Sequence, residues 1–143
     1  MEHTPPTLAE VDAYEVPSFL ALRISRIYDY PIGYCEGLLR EAKRMLSLCI
    51  VSGQAVAPSD RVDIAWHEML MFTRFYKQFA EYIGGFIDHV PNPPPEMGDP
   101  GPETWKEIKN SLRPKYGETE TYTQTKANYK KFFGEETDPQ YWP

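Results

Sequence analysis

The chain has 143 residues, a formal net charge of −6, and 41% hydrophobic and 14% aromatic residues. This length predicts one domain, residues 1–143, with a core that needs no metal or disulfide to hold it. The acidic balance argues against nucleic-acid binding, and no apolar run reaches the roughly 18 residues of a membrane span. The first residues show no signal pattern, so we expect a cytoplasmic protein.

The N-terminal third predicts a loose arm and two short helical segments. Residues 1–7 hold two prolines and little to bury, which is typical of a loose arm. The spacing of Leu8, Val11 and Tyr14 favours a short turn of helix. Pro17 is placed at the first position of a helix that continues to Tyr28, before Pro31.

A second helix is predicted over residues 33–51, with Gly53 as its stop. Apolar residues recur at intervals of three and four, and the polar face is assigned to Arg40, Glu41, Lys43 and Arg44. Cys35 and Cys49 would lie about 21 Å apart along this helix, far beyond the ~7 Å that a disulfide allows. We therefore expect two free thiols, which favours a reducing compartment.

Residues 59–91 form the predicted organising element. Ser59 is a good N-cap, and a single central helix is expected to run to about Ile83 before the Gly84-Gly85 stop. Its buried stripe comprises Val62, Trp66, Met69, Thr73, Tyr76, Ala80 and Ile83. Residues 86–90 are predicted to return as an extended segment that ends at Pro91.

Residues 91–102 form a proline-rich stretch that favours a surface loop, with a polyproline ligand for a partner domain as the alternative. A short helix is predicted over 103–112 and a last helix from Thr119 or Thr121 to Phe133. Tyr141 and Trp142 are expected to dock on the body of the protein. The sum is an all-α fold, a four- to five-helix bundle with a proline-rich surface loop.

A candidate metal site consists of Asp63, His67 and His89, with Asp88 as a further oxygen ligand. Asp63 and His67 are one helical turn apart, and imidazole with carboxylate suits zinc, iron or manganese. Chain reach favours a different interpretation, in which the histidines are structural. Residues 84–89 span at most about 17 Å, whereas His67 lies about 25 Å along the helix from Gly84.

Catalytic motifs are not found in the sequence, so an enzyme is the less favoured hypothesis. His67 and the following glutamate begin a metalloprotease-like pattern, but Met71 stands where HExxH requires histidine. There is no GxSxG sequence, and neither cysteine has a histidine nearby. We predict no catalytic residue, and a divalent transition metal is the one cofactor considered.

The central stretch resembles the VDxxWHxHxxxTxxYxxFCxxxxGxxIHHxP signature of the glycine-rich domain-containing protein-like family. The matching positions are Val62, Asp63, Trp66, His67, Thr73, Tyr76, Phe79, Gly85, Ile87, His89 and Pro91. Met69, Ala80 and Asp88 stand where the family pattern has histidine, cysteine and histidine. The resemblance implies an all-α fold.

Three functions are compatible with these patterns. The first is a small cytoplasmic binding or adaptor protein that acts through contacts with a protein partner. The second is a metal-binding protein or metal-dependent enzyme that uses Asp63, His67 and His89. The third is an acidic inhibitor or immunity-type protein. Neither a nucleic acid nor a membrane is predicted as a partner.

Overall fold

Six α-helices make up most of residues 4–85 and 120–143, the parts of the chain that the computed structural model describes. They are α1 (Leu8–Ala13), α2 (Ser18–Tyr28), α3 (Ile32–Ser52), α4 (Asp60–Met71), α5 (Thr73–Ile83) and α6 (Glu120–Phe133). These two ranges contain no strand, so the predicted all-α bundle is confirmed. The predictions for residues 86–90, 91–102 and 103–112 lie outside the described residues.

Helix α3 is the centre of the bundle, because each of the other five described helices packs against it. The core therefore surrounds α3, whose fully buried side chains include Leu38, Ala42, Met45 and Leu48. The expectation that residues 59–91 would form the organising element is corrected by this arrangement. The longest helix in the described residues takes that position, and it is buried over most of its circumference.

The predicted continuous helix over 59–83 was wrong, since the structure divides it at Phe72. The backbone of Phe72 has φ −109° and ψ 76°, outside the helical region, and α5 begins at the next residue. Across the break, the indole N–H of Trp66 donates to the hydroxyl of Tyr76 over 3.2 Å. In a continuous helix these residues would be about 15 Å apart along the axis, so the break is what allows this bond.

Two of the four residues assigned to the polar face of α3, Glu41 and Lys43, are buried in the structure. Glu41 is 1% exposed and Lys43 is 4% exposed. The periodicity identified the apolar face of α3 correctly, but α1 and α6 cover the opposite side. Where neighbouring helices pack over this side of α3, its charged side chains are buried with polar partners.

Several predicted helix ends are confirmed. The hydroxyl of Ser59 accepts a hydrogen bond from the main-chain N–H of Val62, as an N-cap should. Gly53 and Gly84 end α3 and α5 in the left-handed conformation, which glycine adopts without steric penalty. Pro17 lies one position earlier than predicted, at the N-cap of α2.

The C-terminal residues Tyr141 and Trp142 are buried against the bundle, as predicted. Tyr141 lies directly on Gly37 of α3, where an added Cβ atom would overlap the phenol ring. The Ser59 hydroxyl donates to the main-chain oxygen of Tyr141 over 2.5 Å. Glycine at position 37 is therefore needed for close approach of the tail.

Candidate functional site

The predicted metal ligands are placed only in part. Asp63 is half-buried and His67 is exposed on α4, whereas His89 and Asp88 lie outside the described residues. Within residues 4–85 and 120–143, no group of three or more His, Cys, Asp and Glu side chains could hold a metal ion. The site made of Asp63, His67 and His89 remains a prediction.

Both cysteines are free thiols, as the sequence predicted. Cys35 is buried and Cys49 is half-buried. Burial raises the pKa of each thiol, which disfavours the reactive thiolate. The structure thus gives neither cysteine the environment of a nucleophile.

A buried ionic cluster joins α1, α3 and α6. Arg44 holds the carboxylate of Asp12 with two parallel hydrogen bonds, from Nε over 2.8 Å and from Nη2 over 2.6 Å. Its Nη1 also donates to the hydroxyl of Tyr129 over 2.8 Å. The hydrogen bonds to Asp12 are the main reason that the pKa of Arg44 lies above its usual value.

Glu41 is the acceptor at the centre of this cluster. Its Oε1 accepts from the Tyr129 hydroxyl over 2.7 Å and from the Trp142 indole over 2.9 Å. Its Oε2 accepts from Nε of Arg40 over 3.1 Å. Burial is the largest cause of the raised pKa of Tyr129. Because these polar atoms bind one another, the cluster fastens α6 and the C-terminal tail to α3.

An open cleft of about 1800 Å³ lies on another side of α3. Its walls are the α1–α2 link, the first turns of α2, α3 and α5, and the side chains of Leu39, Arg40 and Lys43. The sequence did not predict this cleft, because its walls come from segments as far apart as residues 12 and 78.

Large apolar side chains stand at the cleft in contact with solvent. Phe19 and Ile32 are each 48% exposed and Met71 is 57% exposed. All three line the cleft, together with Phe72. The rings of Phe19 and Phe72 meet edge to face, with centroids 4.8 Å apart. We call Phe19, Ile32, Met71 and Phe72 the apolar rim.

Three helices begin at this cleft, and none of them is capped by a side chain. The N-caps of α2, α3 and α5 make no side-chain hydrogen bond to the helix, and their first turns contain no acidic residue. The contrast with α1 and α4 is clear. Thr7 and Ser59 cap those two helices, which have Glu10, Asp60 and Asp63 in their first turns.

Lys43 also lines the cleft. Its ammonium group donates to the main-chain oxygens of Asp12 over 2.9 Å and Tyr14 over 2.7 Å. No carboxylate in the described parts of the chain forms an ion pair with it. Burial lowers the pKa of this lysine, although the charge of Asp12 acts in the opposite direction.

The sequence did contain one signal of this site. Proline stands at the N-caps of α2 and α3, in place of the Ser, Thr, Asp or Asn that usually caps a helix. The absence of acidic residues from both first turns is visible in the sequence too. Only the fold shows that these two helix ends face one cleft.

Comparison with known proteins gives a family and no activity. The model of an uncharacterised family, described as UCP032817-like, matches residues 7–127. That range includes all of the described residues that line the cleft. No curated protein and no solved structure matches the chain. In the described residues, no helix is both long enough and apolar enough to cross a bilayer.

Proposed function

The chain belongs to the UCP032817-like family, and we propose that it is a protein-binding module whose cleft receives a segment of a partner protein. The observation that carries this proposal is the convergence of Phe19, Ile32 and Met71, all well exposed, at one cleft. Single exposed apolar residues are ordinary on a protein surface. Exposed apolar residues grouped around a cleft are typical of an interaction site.

The size of the cleft supports a peptide segment as the ligand. Small-molecule pockets usually measure about 300–1000 Å³. The cleft measures about 1800 Å³ and is open to solvent. A helix or extended segment that places two or three apolar side chains on the rim would remove much of its area from water. Burial of such anchors supplies most of the affinity in helix-in-groove recognition.

A cytoplasmic location belongs to the same proposal, supported by two free thiols. The resemblance to the glycine-rich domain-containing protein-like signature is also part of the proposal, and it depends on Val62, Asp63, Trp66 and His67. A metal held by Asp63, His67 and His89 is the alternative. Elemental analysis of untagged protein and of His67→Ala tests it.

A peptide-display selection on the immobilised full chain tests the binding proposal. The cleft variant is Ile32→Asp with Met71→Asp. The matched control is Ile27→Asp with Phe132→Asp, which are 53% and 43% exposed and do not line the cleft. Circular dichroism checks that both variants are folded.

We expect selected peptides to bind the unmodified chain and the control equally, and to lose at least tenfold affinity for the cleft variant. Peptides that bind the cleft variant as tightly as the unmodified chain would overturn the proposal. So would a selection that yields no binding peptide.

A further inference from the structure

We propose that the partner segment is helix α2 of a second copy of this chain, and that two copies associate face to face about a two-fold axis. The exposed side of α2 in each copy then lies on the apolar rim of the other. This inference rests on the proposed function, because it names the partner that the same cleft receives.

Helix α2 has a buried face and an exposed face. The side chains buried against the bundle are those of Leu20, Ala21 and Ile24. Four exposed residues are spaced three and four positions apart, so they form one stripe on the outer side of the helix. We call these four the outer stripe: Phe19, Leu22, Arg23 and Arg26. Its two apolar members are three positions apart, which is the anchor spacing of a helix that binds in a groove.

The surface that would receive such a helix adjoins the outer stripe on the same molecule. Phe19 belongs to the stripe and also lines the cleft, where its ring meets that of Phe72. Ser18 and Ala21 line the cleft as well, so α2 forms one of its walls. A two-fold interface uses the same patch on both copies, which must therefore contain both the anchor and its receiving surface. The outer stripe and the apolar rim meet this condition, and Phe19 joins them.

The charge of this face permits contact between two copies, although the chain as a whole is acidic. Arg23 and Arg26 are the charged residues of α2, and Asp29 follows at its C-cap. The lining of the cleft contains three acidic and three basic residues and is therefore neutral. A helix without net negative charge would thus meet a neutral surface. The net charge of −6 on each copy opposes association through acidic surfaces, but not through this one.

Arg26 is the group that would form an ion pair between the copies. Nε of Arg23 already donates to Glu68 over 2.6 Å, whereas Arg26 has no ion pair within residues 4–85 and 120–143. Glu15 and Glu36 line the cleft, are exposed, and have no ion pair in those ranges either. We therefore expect Arg26 of one copy to lie beside one of these carboxylates of the other, and the two-fold axis repeats the pair.

The first test is sedimentation equilibrium of the full chain over a range of concentrations up to about 300 µM. We expect a reversible dimer with a Kd of about 10–100 µM, as is usual for a contact at the small end of the range of interface sizes. The display selection, carried out at about 1 µM or below, then addresses the cleft of the monomer.

Variants of the outer stripe identify the face that is used. Phe19→Asp with Leu22→Asp changes two exposed side chains, and we expect it to remain monomeric at every concentration. The matched control is Thr123→Asp with Phe132→Asp, which adds the same charge at exposed positions of α6 outside the cleft. We expect the control to dimerise within about threefold of the unmodified chain. Circular dichroism checks that both variants are folded.

A charge exchange tests the orientation of the two copies. Arg26→Glu should weaken the dimer about tenfold, because each of the two symmetric contacts then brings carboxylates together. Adding Glu15→Arg and Glu36→Arg to the same chain should restore the Kd to within about threefold of the original value. These positions are all exposed, so the exchange should leave the monomer folded.

A chain that stays monomeric at about 300 µM would overturn the inference, since such a Kd would be weaker than a specific contact of this kind gives. So would a dimer whose Kd is unchanged by Phe19→Asp with Leu22→Asp, or by Arg26→Glu. The display selection judges the binding proposal separately. If it yields cleft-dependent peptides while the chain stays monomeric, protein binding stands with a different partner and the second-copy inference fails.

Discussion

The indole N–H of Trp142 donates a hydrogen bond to Oε1 of Glu41 over 2.9 Å, with both side chains buried. The bond joins residues 101 positions apart in the chain. It ties the C-terminal tail to the middle of α3, the helix that all other described helices contact. The tail is therefore part of the core, and changes to its contacts should alter the stability of the whole bundle.

Trp142→Phe tests this connection. The phenyl ring keeps most of the apolar contact, but it cannot donate to Glu41. Because a buried carboxylate oxygen then loses a donor, we expect the free energy of unfolding to fall by about 1–3 kcal/mol. Urea denaturation followed by circular dichroism measures this change. Phe132→Leu, at an exposed position, is the control and should alter stability by less than about 0.5 kcal/mol.

Gly37→Ala should displace the tail, because the new methyl group would overlap the ring of Tyr141. We expect a loss of about 1–3 kcal/mol in the free energy of unfolding, from overpacking. Gly33→Ala on the same helix is the matched control, since it meets open space. That control should gain about 0.5–1 kcal/mol from helix propensity. Similar stability in the two variants would contradict the close packing of Tyr141 on α3.

Arg44→Met should be strongly destabilising, because Asp12 and Glu41 would lose the cation that they share. Removing one partner of a largely buried ion pair lowers the free energy of unfolding by about 3 kcal/mol, because the other charge stays buried without it. Lys130→Met removes an ion pair of similar length, 2.6 Å to Glu136, on the exposed side of α6. We expect no measurable change there, since solvent screens that pair. Thermal denaturation of both variants makes the comparison.

The pH dependence of stability should reveal the burial of Lys43. Its pKa in the folded protein is below the ordinary lysine value of 10.5, so the unfolded chain binds more protons between the two values. The contribution of Lys43 to the free energy of unfolding therefore rises as the pH increases through the pKa of Lys43 in the folded protein. It levels off above 10.5, the pKa in the unfolded chain. The charges that act on it are those of Asp12, Arg40 and Arg44.

Lys43→Met isolates this contribution, because the other alkaline titrations are common to both proteins. Denaturation between neutral pH and pH 11 should show the unmodified chain gaining stability relative to the variant as the pH rises. A constant difference across this range would mean that the pKa of Lys43 is unchanged by folding.

Local sequence patterns predicted helix ends well, because the chemistry of an end lies within a few residues. Ser59 caps α4, and Gly53 and Gly84 end α3 and α5, as their residue types indicate. The apolar stripe of α3 was predicted for the same reason. Each of these features depends on contacts inside one helix.

The features that sequence patterns did not predict depend on distant residues. Lys43 is buried because a segment that lies about 30 positions earlier in the chain packs against it. The main-chain oxygens of Asp12 and Tyr14 in that segment accept its hydrogen bonds. The break at Phe72 brings Trp66 to Tyr76, while the Phe72 ring contacts Phe19 on α2. Helical periodicity reports which face is apolar, but not whether the opposite face meets water or another helix.

The interruption at Phe72 has an electrostatic consequence for the cleft. An unbroken helix over residues 59–83 would have had one positive pole, at its N-terminus. There the Ser59 hydroxyl accepts a hydrogen bond from the helix, and Asp60 and Asp63 supply negative charge. By ending one helix at Met71 and starting another at Thr73, the chain creates a second pole in mid-sequence, and this one faces the cleft. A change of backbone direction at a single residue thereby adds positive potential without adding a charged side chain.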